Sequence, residues 1–208
     1  MSMQIGFIAW KGQMEEGFNL VWPLFGYVMR GRKENGRGFQ GLMEDLEGYG
    51  PNYRGQNIHL GAFRVNGWCV LLDGMLDRLS LERAGRRLSV NFKKSTVAAM
   101  IDSDKRRYYV GYWDAGRHLG HVYSDVLEGK VDAEGSLING HVDPAEWTQD
   151  DWFHALVDLG IDMDSWDELP QGDAEFEILE VRREYVPDIK DEKPKDDSKS
   201  KPWWKFWG

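Results

Sequence analysis

Apolar and polar positions change their rhythm several times along this chain. Gln4 to Trp10 is an apolar run of strand length, and residues 13–30 carry apolar positions in a helical pattern. Pro23 falls inside that second stretch and predicts a kink or a helix start there. Gly31 to Gly38 is polar and predicts a loop, a short helix is expected at 39–47, and Tyr49 to Asn57 carries turn residues. From Ile58 the rhythm becomes that of strands. Ile58–Phe63 and Trp68–Leu72 flank Asn66-Gly67, a strong hairpin signal. Leu79–Arg86 predicts a short helix. Leu88-Ser89-Val90-Asn91-Phe92 alternates and predicts a half-buried strand. Thr96–Ile101 and Arg107–Trp113 flank a polar turn, and His121–Leu127 and Ser136–Ile138 continue the β pattern.

The clearest local signal lies further on. Thr148-Gln149-Asp150-Asp151 has the form of a capping box with Asp in the place of Glu, and Trp147 and Trp152 occupy staple positions around it. Trp152, Leu156 and Leu159 share one helical face and Gly160 supplies a stop, so a helix is expected at about 149–159. Ala174–Tyr185 predicts a last strand. These elements describe an α+β domain over residues 1–186, with a mainly antiparallel sheet built on a central meander and packed with N-terminal helices and one C-terminal helix.

Residues 187–208 break the pattern. From Pro187 to Pro202 the chain is charged and turn-prone, with too little apolar surface to offset the entropy of ordering it. It ends in Trp203-Trp204-Lys205-Phe206-Trp207. A disordered tether tipped with aromatics is expected. Trp203, Trp204, Phe206 and Trp207 are candidate partner-binding residues, reading a protein partner or the chain's own domain. Membrane insertion ranks lower, because acids interleave with the lysines of the tether.

Charge sharpens this picture. Net charge is −9, yet residues 1–142 balance at 18 Lys/Arg against 16 Asp/Glu, while residues 143–181 hold 13 Asp/Glu and no Lys or Arg. Such a surface attracts a basic protein and repels nucleic acid, whose phosphates need Lys/Arg contacts. Asp150, Asp151, Asp162 and Asp164 are therefore candidate partner-binding residues. Arg30, Arg32, Lys33 and Arg37 form the one basic patch to weigh against them.

Candidate chemistry adds little. Gly36-Arg37-Gly38-Phe39-Gln40-Gly41 matches a dinucleotide fingerprint in spacing, but a polar stretch precedes it where a buried strand is required. His118 and His121 are three apart; on a regular strand they point to opposite faces and cannot share a metal. Asp162 to Asp167 resembles the start of a calcium loop, without its Gly and its closing Glu. The lone Cys69 sits among apolar residues and is expected to be a buried core residue in a reducing compartment. No cofactor is expected, and the cytoplasm is the expected location, since no signal peptide or bilayer-length run is seen.

In order, a helix-rich N-terminus, the strand with Gly67-Trp68, Leu88-Ser89-Val90-Asn91, and Tyr108-Tyr109-Val110-Gly111-Tyr112 resemble small acidic bacterial α+β proteins, some of them immunity proteins of polymorphic toxin systems. The likeness spans residues 58–160. It implies a cytosolic binding protein that neutralises a toxin, and it carries over no functional residue. The alternatives are an enzyme whose site is assembled from dispersed residues and a peripheral membrane protein anchored by the aromatic tail.

Overall fold

The computed structural model describes residues 4–35, 38–49, 57–72, 78–135, 143–167 and 176–184. The aromatic tip, the tether and the strand expected at Ser136–Ile138 lie outside these residues.

The strands are β1 (Gln4–Trp10), β2 (Tyr27–Glu34), β3 (Asn57–Val65), β4 (Trp68–Leu72), β5 (Thr96–Asp102), β6 (Arg107–Asp114), β7 (Arg117–Asp125), β8 (Lys130–Gly135) and β9 (Glu177–Arg183). They form one sheet in the order β2-β9-β3-β4-β1-β5-β6-β7-β8. Every neighbouring pair is antiparallel. The expected meander is β5 to β8. The last strand, β9, returns to lie between β2 and β3, while β1 stands at the centre of the sheet between β4 and β5.

The helices are α1 (Met14–Phe25), α2 (Gly38–Tyr49), α3 (Arg78–Phe92), α4 (Gln149–Asp158) and α5 (Asp164–Asp167), with a single 3-10 turn at Pro144–Glu146. They cover both faces of the sheet, which is why β1 is apolar without interruption. Phe7 and Ala9 face a core shared with Leu42, Trp147, Trp152, Leu156 and Trp166. Ile8 and Trp10 face the other core, with Phe18, Trp22, Leu81, Leu88, Tyr109 and Trp113. Tryptophan does most of its work here: all seven of its described copies are buried. So is Cys69, whose thiol donates to the Gly12 carbonyl (3.3 Å) and is pushed up in pKa by burial, as fits a core residue.

Two expectations fail. The first helix ends at Phe25, and residues 27–34 are strand β2. Gly26 adopts the left-handed conformation (φ 67°) that ends a helix, and its N–H bonds the Trp22 carbonyl. Pro23 is tolerated inside the last turn. Beyond Gly26 the apolar residues Tyr27, Val28 and Met29 continue the helical pattern in sequence, and the strand then turns polar along the edge of the sheet. Leu88–Phe92 is likewise not a strand but the second half of α3. Leu81, Ala84, Gly85, Leu88 and Ser89 are buried at helical spacing, and a five-residue alternation cannot compete with that longer face.

The local signals hold. Asn66 and Gly67 both take positive φ (49° and 78°), the conformation of a two-residue hairpin turn. In α4 the capping box forms: the Asp151 carboxylate accepts from the Thr148 N–H (2.8 Å) and the Thr148 hydroxyl accepts from the Asp151 N–H (3.4 Å). At its other end the Gly160 N–H bonds the Val157 carbonyl and the Ile161 N–H bonds the Leu156 carbonyl, a Schellman closure with Gly160 at φ 80°.

Candidate functional site

Two polar regions stand on opposite faces of the sheet, and they are built differently. The first is the acid-rich region. Trp152 fastens α4 to the sheet, buried to the last atom and donating its indole N–H to the Tyr109 carbonyl (2.9 Å). Its ring meets Phe7 edge to face. With Trp152 and Leu156 buried and Phe153 and Ala155 packed half-buried beside them, the opposite side of α4 faces solvent. Asp150 and Asp158 are exposed there, as are Glu146 before the helix and Asp162 after it. Among the described residues none of these four is ion-paired. Val157 is also exposed, at 49%, so the face mixes acids with an apolar spot.

Of the residues singled out from sequence, Asp150 and Asp162 are thus free surface acids. Asp151 is not: its carboxylate is consumed by the cap. Asp164 opens α5, and its side chain lies outside the described residues, as do Trp203, Trp204, Phe206 and Trp207. The stretch from Asp162 to Asp167 is a helical turn that buries Met163 and Trp166, closed by the Ser165 hydroxyl donating to the Asp162 carbonyl (2.7 Å). That geometry belongs to core packing rather than to a calcium loop. Nearby, Val65, Trp68, Gly160 and Trp166 line a crevice of about 10 Å³, room for one water molecule.

Arg30, Arg32 and Lys33 of the basic patch expected on a loop lie instead on β2, and the two arginines are paired. Arg32 pairs with Glu177 (2.7 Å) and Glu15, and Arg30 pairs with Glu184 (3.4 Å). The Gly36–Gly41 motif therefore follows a strand after all, but an exposed edge strand; Gly36 and Arg37 are outside the described residues.

The second region was missed in sequence. It sits where the first turn of α3 meets β7 and β8. Arg78 donates through Nε to Glu82 (2.6 Å) and through Nη2 to Asp132, and its guanidinium lies over the rings of Tyr123 (4.8 Å) and Tyr109 (5.8 Å). The second oxygen of Asp132 takes the His121 Nε2 (3.3 Å). Arg78, above all, holds the Asp132 carboxyl below its ordinary pKa, with His121 assisting. His121 is buried and stacks on His118, with ring centroids 5.3 Å apart and planes at 24°. Glu134 stands directly across from His121 on β8. Beneath them the buried Tyr109 hydroxyl has no hydrogen-bond partner among the described residues, and burial pushes its pKa far up.

The stacking of the two histidines overturns the parity argument against them. A bulge interrupts β7: Tyr112 pairs with Gly120 and Trp113 with His118, leaving Leu119 extra. One extra residue restores His118 and His121 to the same face. Gly135 permits the bulge, since at φ 84° it needs glycine and a Cβ there would run into the Leu119 carbonyl. Gly120, just before the strand expected from His121, is the residue beside the bulge that the sequence displays.

Compared with known protein families, curated proteins and solved structures, the chain gives no significant match.

Proposed function

We propose that this chain is a non-catalytic protein-binding protein of the cytoplasm that presents the acidic surface around α4 to a basic protein partner. One observation carries the reading: Glu146, Asp150, Asp158 and Asp162 are exposed and free of ion pairs among the described residues, on a stretch without any Lys or Arg. Asp158 is the most telling of them. It is the last residue of α4, where the helix dipole disfavours negative charge. An acid placed against its own helix and given no partner fits a surface shaped for something outside the chain. The engagement of Arg30 and Arg32 by acids supports a protein partner over nucleic acid. No helix among the described residues is long and apolar enough to cross a membrane. Trp203, Trp204, Phe206 and Trp207 supply a second, apolar contact with the same partner. The likeness to immunity proteins gives the reading its concrete form, neutralisation of a toxin encoded beside this gene.

The test is a binding measurement with the product of the neighbouring gene, using the full chain and the variant Asp150→Lys/Asp158→Lys/Asp162→Lys. Asp151 is left alone because changing it damages the cap. The expected result is binding that weakens with salt and falls at least about tenfold in the triple variant, a loss of roughly 1.4 kcal/mol. Equal affinity of variant and native chain, each folded by circular dichroism, overturns the proposal.

A further inference from the structure

The geometry points to a divalent transition-metal site formed by His118, His121 and Glu134, on the face of the sheet opposite α4. One ligand atom from each of the three lies within 4.8 Å of the others. Zinc holds His nitrogens and carboxylate oxygens about 2.0–2.2 Å away, which puts tetrahedral ligands roughly 3.3 Å apart. Closing that difference takes side-chain rotation only, and the two residues that must move, His118 and Glu134, are the exposed ones.

Three further features favour a cation here. The first is the bulge. A regular β7 would send His118 to the other face, and the Leu119 insertion with Gly135 beneath it brings the ring back. The second is the orientation of His121. Its Nε2 lies 3.3 Å from the Asp132 carboxylate and 3.4 Å from the Arg78 Nη2. In the tautomer that carries its proton on Nε2, the carboxylate accepts that N–H and Nδ1 is the lone-pair nitrogen. A metal-ligating imidazole is commonly held this way, by a carboxylate on its far nitrogen. The third is charge. Among the described residues of the cluster, the carboxylates of Glu82, Asp132 and Glu134 outnumber the cation Arg78, a local excess of negative charge that a divalent ion offsets. Two imidazoles and a carboxylate suit zinc, cobalt or nickel rather than magnesium or calcium. With three protein ligands the fourth position belongs to water, and the ion ties the bulged strand β7 to the edge strand β8.

The inference is independent of the acidic face and is tested without any partner. The untagged full chain, stripped with a chelator, is titrated with ZnCl2 by calorimetry and with CoCl2 by visible absorption. One ion per chain, a tetrahedral cobalt spectrum and a rise in thermal midpoint on zinc addition are expected. His118→Ala and Glu134→Gln change exposed side chains and keep the fold; each is expected to weaken zinc binding by about tenfold or more, judged against the range known for perturbed metal sites. His154→Ala, on α4, is expected to change nothing. The absence of saturable binding, or binding of equal affinity in the double variant His118→Ala/Glu134→Gln, overturns the site.

Discussion

The two polar regions of this molecule spend their charges in opposite ways. Beside α3, β7 and β8 the carboxylates of Glu82 and Asp132 are both engaged by the Arg78 guanidinium, and Asp132 by the His121 imidazole as well. Around α4 the exposed acids meet no cation at all within the described chain, and the engaged carboxylates, Asp143 and Asp151, serve helix ends. A satisfied network fixes side chains relative to one another and suits a small ligand such as an ion. An unsatisfied surface keeps its field for long-range attraction and suits a large charged partner. The sheet separates the two, so each can be broken without touching the other.

The largest effect is expected from Trp152→Ala. This ring fills the core beneath α4, contacts Phe7 and Phe153, and ties the helix to the Tyr109 carbonyl. Its loss leaves a cavity costing about 3–5 kcal/mol, measurable by chemical denaturation. If α4 is only a platform for its acids, partner binding disappears with it, while zinc titration of whatever fraction remains folded still reports the His118/His121 site. Loss of both together in folded protein would mean the two faces are coupled through β6, contrary to the separation drawn above.

A smaller effect, with a pH signature, is expected at Asp125 on the networked side. Asp125 is buried and would be pushed up in pKa by desolvation. The Arg107 Nε (2.6 Å) and the Glu128 N–H (3.1 Å) outweigh this and hold it below the ordinary carboxylate value. The sign follows from that depression. The stabilisation is fully present above the unfolded carboxylate pKa of about 3.9 and is lost as pH falls through the lower folded value. Asp125→Asn should cost about 1–3 kcal/mol at neutral pH, and the stability curve of the variant should be flatter in acid. An unchanged acid limb would show that the Arg107 pair contributes no linkage.

How far each region could be read from sequence follows the range of the interactions that build it. The α4 face was legible because its signals are local: Thr148, Asp151 and Gly160 lie within one helix and its caps, and a run of residues without Lys or Arg needs no tertiary knowledge. The Asn66-Gly67 turn was legible for the same reason. Strand β2 was hidden because its apolar start continues the helical pattern, its polar remainder carries no apolar alternation, and its identity depends on pairing with β9, far along the chain. The second half of α3 was misread because Leu88 to Phe92 fits two periods at once. The histidine site was least legible of all. It requires the register of β7 on both neighbours, a bulge that inverts side-chain parity, and Arg78 from a helix 43 residues before His121. Gly120 was the one local clue.

The smallest effects sharpen the comparison most, because they separate stability from binding on the acidic face. Asp150 lies in the first turn of α4 and Asp158 at its last residue, with no basic residue in that last turn. The helix dipole favours the first charge and opposes the second. Asp150→Lys should therefore lower stability by about 0.5 kcal/mol and Asp158→Lys raise it by a similar amount, read as opposite shifts of the denaturation midpoint. Both substitutions should weaken a basic partner. If stability and binding instead moved together at both positions, the acids would be serving the helix. Divergence at Asp158, a more stable protein that binds less well, would mean that this residue is held at a cost to the fold, the behaviour of a side chain placed for contact with another molecule.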